Sequence, residues 1–133
     1  MLSESKKTLK IAIVDDEKEL LNVFTLILER LGYSTPDVFN DGTSFIKSLT
    51  RDKQSYDVIL MDYRMPEMDG IETAKIVKNR KPETQIIMIT GYDFVKEKAH
   101  EIGILYLQKP FTAKQLSECI NNLKLGSPSP SSS

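Results

Sequence analysis

Leu9-Lys10-Ile11-Ala12-Ile13-Val14-Asp15-Asp16-Glu17 is an apolar run that ends abruptly in three carboxylates. From Ile11 to Val14 every residue is apolar, as a strand must be when helices cover both of its faces. The design recurs. Val58-Ile59-Leu60-Met61 leads to Asp62, Ile86-Ile87-Met88-Ile89 leads to Thr90, and Leu105-Tyr106-Leu107-Gln108 leads to Lys109. If these runs are neighbouring parallel strands, all the polar groups reach one edge of one sheet. Open α/β sheets bind ligands there, outside the carboxyl ends of the strands.

Between the runs the apolar residues fall at helical spacing. Lys18 to Leu31 carries Leu20, Phe24, Ile27, Leu28 and Leu31 at helical spacing, and Gly32 is a natural stop. A short second strand is expected near Ser34 to Phe39. It contains Pro36, which cannot donate to a ladder, so the strand belongs at a sheet edge. Asp41-Gly42 starts a helix with Phe45, Ile46 and Leu49, and Arg51 to Ser55 reads as a polar loop before a third strand, Tyr56 to Met61. Asp69 with Glu72 forms a capping box for a helix burying Ile71, Ala74 and Val77, and the fourth strand ends at Thr90. Phe94 to Ile102 is helical up to Gly103, Ile104 to Leu107 is the fifth strand, and Thr112 to Gln115 caps a last helix running to about Leu123.

Five βα units of this length require parallel strands joined by right-handed crossovers. The expected fold is α/β, a doubly wound (βα)5 three-layer sandwich of the flavodoxin-like type. Its parallel five-stranded sheet has the order 2-1-3-4-5. That order sets strands one and three side by side and brings Asp15, Asp16 and Asp62 together. Residues 1–8 read as an N-terminal extension and 9–125 as one domain. Residues 126–133, rich in serine and proline, have nothing apolar to bury and read as a disordered tail, a linker stub or a remnant of expression.

The 133 residues suffice for a real core. A formal net charge of -1 with 28% charged residues leaves no basic stripe for direct nucleic-acid binding. No apolar stretch reaches the roughly 18 to 20 residues of a membrane span, and Met1 to Lys10 lacks a signal-peptide core, so a cytoplasmic location is expected. The single cysteine, Cys119, forbids an internal disulfide and reads as a half-buried helix thiol.

Two unit charges about 4 Å apart repel by on the order of 4 kcal/mol at an effective dielectric near 20, so a carboxylate cluster calls for a cation. Oxygen-only ligands with room for water suit Mg²⁺, which keeps several waters while it binds a phosphate. The residues themselves point to Asp16 and Asp62 as direct ligands, with Asp15 holding a bound water. Asp62, the most central, can attack an electrophile while Lys109 and the metal neutralise a transferred phosphoryl group.

The pattern Ile13-Val14-Asp15-Asp16-Glu17, Asp62-Tyr63-Arg64-Met65-Pro66-Glu67-Met68-Asp69-Gly70, Thr90-Gly91 and Lys109-Pro110-Phe111 resembles the receiver domain of two-component response regulators, over about Leu9 to Leu123. The resemblance implies that Asp62 accepts a phosphoryl group from a sensor histidine kinase or phosphotransfer protein. It implies that Asp15, Asp16, Asp62 and the backbone carbonyl of Arg64 hold Mg²⁺, and that Thr90 and Lys109 contact the phosphoryl oxygens. It also implies a cis Lys109-Pro110 bond, and Tyr106 as an aromatic ring that moves inward as the threonine turns toward the phosphate. The output surface for a downstream protein effector would be the fourth helix, fifth strand and fifth helix, including Tyr106, Lys114 and Glu118. A phosphorylation-dependent homodimer is an alternative occupant. The chain would then be a phosphoacceptor switch, either a stand-alone regulator or a receiver from a longer protein. It would act on no substrate beyond its own phosphorylation and dephosphorylation.

The resemblance also places Arg64 and Tyr92, two residues beyond Asp62 and Thr90, at the pocket mouth, where they would slow attack by water. His100, the only histidine, reads as a solvated helix residue, and Met61, Met65, Met68 and Met88 as packing. Two competing readings have weaker support. A haloacid-dehalogenase-like phosphatase would carry a second Asp where Arg64 stands, and a flavodoxin-like electron carrier would not present Asp15-Asp16-Glu17 to a flavin phosphate. A receiver-like module that no longer takes phosphate is disfavoured because every expected site residue is present.

Overall fold

The computed structural model describes residues 8–52 and 55–123. Strand and helix alternate as β1 (Ile11–Val14), α1 (Lys18–Arg30), β2 (Asp37–Phe39), α2 (Gly42–Asp52), β3 (Val58–Met61), α3 (Gly70–Arg80), β4 (Gln85–Thr90), α4 (Val95–Glu101), β5 (Leu105–Gln108) and α5 (Ala113–Asn121). All strand pairings are parallel, in the order β2-β1-β3-β4-β5. The doubly wound sandwich and its strand order are as the sequence predicts.

Because side chains alternate along a strand, the three central strands feed two separate cores. Ala12, Val14, Ile59, Met61, Ile86 and Met88 pack with Phe45, Leu49, Ile71, Val77 and Val95 of α2, α3 and α4. Ile11, Ile13, Val58, Leu60, Ile87 and Ile89 pack with Leu21, Phe24, Leu28, Leu116 and Ile120 of α1 and α5. Each such side chain contributes roughly 1.5–3 kcal/mol when fully buried, so the sheet is held from both sides. Phe24 and Phe111 stack at 5.2 Å between centroids, tying α1 to the segment that follows Lys109.

Local signals set the helix ends. Asp69 accepts from the Glu72 amide at 2.8 Å, and Glu72 accepts from the Asp69 amide at 2.9 Å. Thr112 and Gln115 do the same for α5 at 3.0 and 2.8 Å. Gly32 follows α1 with φ 95°, a left-handed conformation that costs glycine little.

Several boundaries differ from the sequence reading. Pro36 lies just before β2 rather than inside it, although β2 is the edge strand as expected. The stretch from Arg51 that reads as a loop begins as the last turn of α2, which continues through Asp52. A tertiary contact holds that turn, since Thr50 accepts from Arg80 of α3 at 2.7 Å while donating back to Ile46 at 3.1 Å. Strands β1 and β3 begin later than Leu9 and Tyr56, because their mutual pairing starts at Ile11 opposite Val58. The extension up to residue 7 and the tail at 126–133 lie outside the described residues.

Candidate functional site

Register places the acidic residues. Val14 is opposite Met61, and Met61 is opposite Met88. Asp15 and Asp62 are each the next residue along, so adjacent strands about 4.8 Å apart present them side by side. The Asp62 amide donates to the Val14 carbonyl at 2.9 Å, extending the ladder to Asp62 itself. Lys109 arrives from the far edge. Its amide donates to the Thr90 carbonyl at 2.9 Å, and the Lys109-Pro110 bond is cis, as the resemblance implies.

The lysine ammonium joins the carboxylates. Lys109 Nζ lies 3.2 Å from Asp15 Oδ2, 3.2 Å from Asp62 Oδ1 and 3.4 Å from Glu17 Oε1. Asp15 and Asp62 are buried, at 1% and 7% exposure, whereas Asp16 and Glu17 face solvent. Burial pushes the Asp62 carboxyl up to about 6, helped by the charge of Asp15 and opposed by Lys109. Asp15 is also raised, chiefly by burial. Burial alone would lower Lys109, but Asp62 and Asp15 outweigh it and its pKa is raised. The centre therefore sets one ammonium among the carboxyl groups of Asp15, Asp16, Glu17 and Asp62, more acidic groups than one lysine balances.

That excess, together with its donor atoms, fits a hard divalent cation. Carboxylate oxygens of Asp15, Asp16 and Asp62 all lie within 4.8 Å of one another, and no softer ligand type takes part. The exposed Asp16 leaves room for water ligands, which Mg²⁺ retains. Neither Asp15 nor Asp16 caps α1. Its N-cap is Glu17, which makes no side-chain cap bond. Asp15 Oδ1 instead accepts from the Glu17 amide at 2.9 Å.

A cleft of about 450 Å³ opens above the carboxylates and is lined by Asp16, Glu17, Asp62, Arg64, Thr90, Gly91, Tyr92 and Lys109. A larger cavity, about 570 Å³, lies between α1 and β2 and also reaches Asp16, but it contains neither Asp62 nor Lys109. The smaller cleft has the chemistry. Thr90 is buried on its floor, and its hydroxyl accepts from the Tyr92 amide at 3.3 Å. Tyr106 is half-buried on β5 and donates to the Tyr92 carbonyl at 3.1 Å. Two hydrogen bonds thus connect the threonine at the cleft to the ring at the fifth strand through one residue, Tyr92.

Two further contributors have roles that sequence reasoning missed. Gly70 packs directly on the backbone of Asp62 and Tyr63. A Cβ there would run into the Asp62 carbonyl oxygen and come within 2.9 Å of Tyr63 Cα, and the Gly70 amide donates to the Tyr63 carbonyl at 2.7 Å. Asp69-Gly70 was visible as a motif, but only the fold shows which backbone the glycine meets. Glu67 has φ 70°, a left-handed conformation costly for a residue with a Cβ, and it accepts from Thr43 at 3.1 Å. Glu67 lies within the quoted Asp62–Gly70 pattern, but its left-handed backbone shows only in the fold. His100 is exposed, Cys119 is half-buried with its thiol pKa raised by burial, and Met61, Met65 and Met88 are core, as expected.

Comparison with known proteins agrees with this geometry. A family model described as the response regulator receiver domain matches residues 11–121. The alkaline phosphatase synthesis transcriptional regulatory protein PhoP of Bacillus subtilis is 33% identical over 111 residues, which are 81% of this chain and 45% of PhoP. The CAI-1 autoinducer sensor kinase/phosphatase CqsS of Vibrio cholerae is 32% identical over 91 residues, 68% of this chain and 13% of that protein. The chain thus spans less than half the length of these relatives. Among solved structures, a response regulator receiver domain protein from Clostridium thermocellum superposes with a TM-score of 0.78 at 30% identity, covering 86% of this chain and 92% of that one. TrrA of Thermotoga maritima, in complex with Mg²⁺ and beryllofluoride, gives 0.77 at 25% identity, covering 86% and 97%. With its fold, strand-end acids and lysine accounted for along nearly the whole described chain, the protein belongs to the response regulator receiver domains, the aspartate-phosphorylated switches of two-component systems.

Proposed function

We propose that Asp62 is the phosphoacceptor of this receiver and that Thr90 and Tyr106 carry its state to the surface. The observation that supports this most is the position of the Asp62 carboxylate. It sits at the centre of the sheet edge, 3.2 Å from Lys109, and faces a cleft with room for a phosphoryl group. With a pKa of about 6 it is ionised at neutral pH. One of its oxygens attacks phosphorus, the bond from phosphorus to the donor nitrogen of a phosphohistidine breaks, and the histidine leaves with the bonding pair. Lys109, freed from part of its carboxylate contact as Asp62 becomes an acyl phosphate, turns to the phosphoryl oxygens, and Thr90 donates its hydroxyl to another. Mg²⁺ held by Asp15, Asp16, Asp62 and the backbone carbonyl of Arg64 would neutralise charge on the transferred group and on the carboxylates.

When Thr90 turns to the phosphoryl group its contact with the Tyr92 amide is lost, and that is the segment to which the Tyr106 hydroxyl is tied. A phosphoryl group can shift the domain only through contacts that differ between its two states, and this bond is one. The surface that changes is α4, β5 and α5, where Tyr106, Lys114 and Glu118 offer polar contacts to a downstream protein effector or a second copy of the chain. Receiver domains take their phosphoryl groups from histidine kinases or phosphotransfer proteins, and this reading gives the chain the same donors, in the cytoplasm. Among the described residues no helix is long and apolar enough to cross a membrane. The chain's own catalysis is limited to gaining and losing the phosphate.

The test is direct. Incubation with Mg²⁺ and acetyl phosphate should add one acid-labile phosphate, visible by mass spectrometry, and Asp62→Asn should add none. An unchanged yield in the variant refutes Asp62 as acceptor.

A further inference from the structure

The cleft has two cations, and they are held very differently. Lys109 is engaged by three carboxylates. Arg64, exposed at the mouth, instead donates from Nη1 to the Tyr92 hydroxyl, with its Cζ 5.4 Å from the centre of the Tyr92 ring. Among the described residues it forms no ion pair with a carboxylate. A full positive charge thus rests on a neutral phenol, within the same cleft as Asp62.

The phenol belongs to a surface cluster. Tyr92 lies 6.2 Å from Tyr63 and 5.7 Å from Phe94, and Tyr63 meets Phe94 edge-on at 5.7 Å. Phe94 is 54% exposed and Tyr92 38%, so the three rings form an aromatic patch at the rim, beside α4.

We infer that Arg64 and Tyr92 form a latch across the cleft that an aspartyl phosphate opens, the guanidinium exchanging the Tyr92 hydroxyl for phosphoryl oxygens and leaving the Tyr63–Tyr92–Phe94 patch free to rearrange. The inference rests on Asp62 as acceptor. The planar donors of arginine match a phosphoryl group better than a single phenol oxygen, and there the guanidinium meets an anionic, bidentate partner in place of a neutral one. The latch therefore gives the phosphoryl group a second outlet to the surface, through the Tyr92 side chain, beside the one that runs from the Thr90 hydroxyl through the Tyr92 backbone.

Competition predicts a sign that simple shielding does not. Tyr92→Phe removes the hydroxyl but keeps the ring and all backbone bonds, so it weakens only the closed latch. Both residues are exposed, and their replacement leaves the core intact. Full-length wild type, Tyr92→Phe, Arg64→Gln and the double variant would be titrated with beryllofluoride and Mg²⁺, following the adduct by fluorine NMR and the Phe94 and Tyr92 rings by carbon NMR. Tyr92→Phe should bind beryllofluoride about threefold to tenfold more tightly, and Arg64→Gln about tenfold more weakly. In the Arg64→Gln background the Tyr92→Phe change should have no effect, and the Phe94 shift on binding should be lost. An adduct that forms with equal affinity in wild type and Arg64→Gln, or a Tyr92→Phe effect of the same size in both backgrounds, overturns the latch and leaves the acceptor standing. No adduct in any of the four proteins overturns the acceptor and the latch with it.

Discussion

Replacing Asp62, the proposed acceptor, should make the metal-free protein more stable. Asp62 is buried beside Asp15, and its pKa is pushed up to about 6 from 3.8. A tenfold change in proton affinity corresponds to about 1.36 kcal/mol, so holding Asp62 ionised in the fold costs ~3 kcal/mol at neutral pH. The sign follows from proton binding. Between its unfolded and folded pKa values Asp62 keeps in the fold a proton that the unfolded chain has released, so stability falls as pH rises through that window and the loss is complete above about pH 6. Asp62→Asn removes the ionisation and still leaves Lys109 its contacts with Asp15 and Glu17. Urea unfolding without metal should therefore show the variant more stable by about 2–3 kcal/mol near pH 7.5 and by about half that near pH 5, with m unchanged. Mg²⁺ should narrow the gap. At roughly ten times its dissociation constant a ligand stabilises the wild type by about 1.4 kcal/mol, a gain the variant loses in large part. A variant no more stable than wild type at both pH values, or a gap that ignores pH, would refute the argument that the acceptor is held against its own desolvation and the charge of Asp15.

Asp16→Ala should weaken Mg²⁺ binding by at least about tenfold, as loss of a hard ligand does, and calorimetric titration showing equal affinity would place the metal elsewhere. Thr90→Ala should still accept one phosphate from acetyl phosphate but transmit little. NMR spectra with a phosphoryl mimic should show shifts around Asp62 without those around Tyr106, and equal distant shifts in both proteins would mean that Thr90 does not couple them. Arg64→Asn combined with Tyr92→Glu should shorten the phosphate lifetime, because two large side chains lining the cleft are exchanged for groups that can orient water. A phosphate half-life in the double variant as long as in wild type at saturating Mg²⁺ would show that these side chains do not shield the bond.

Much of the architecture was legible in the sequence, for a local reason. Ile11 to Val14, Val58 to Met61 and Ile86 to Ile89 are apolar at every position, as a strand covered on both faces requires. The capping boxes at Asp69 and Thr112 act within four residues and form as read. Strand-end chemistry was legible for the same reason, since a polar residue closing each apolar run must emerge at the sheet edge once the strands are parallel. The end of α2 was not, because its last turn is held by Arg80, thirty residues away.

The sequence by itself determined the βα alternation, the strand order and the identity of the acids, the threonine and the lysine. Tertiary structure alone decided how they are charged and what they touch. Burial separates Asp15 from its neighbour Asp16, a distinction no property of two adjacent identical side chains contains. The contact of Lys109 with Asp15 spans 94 positions and that of Arg64 with Tyr92 spans 28. Such contacts depend on strand register, which is set by packing over the whole sheet. The close approach of Gly70 to Asp62 arises in the same way. Local patterns encode which groups reach the sheet edge, whereas desolvation and long-range contact, which give those groups their reactivity, exist only after the chain has folded.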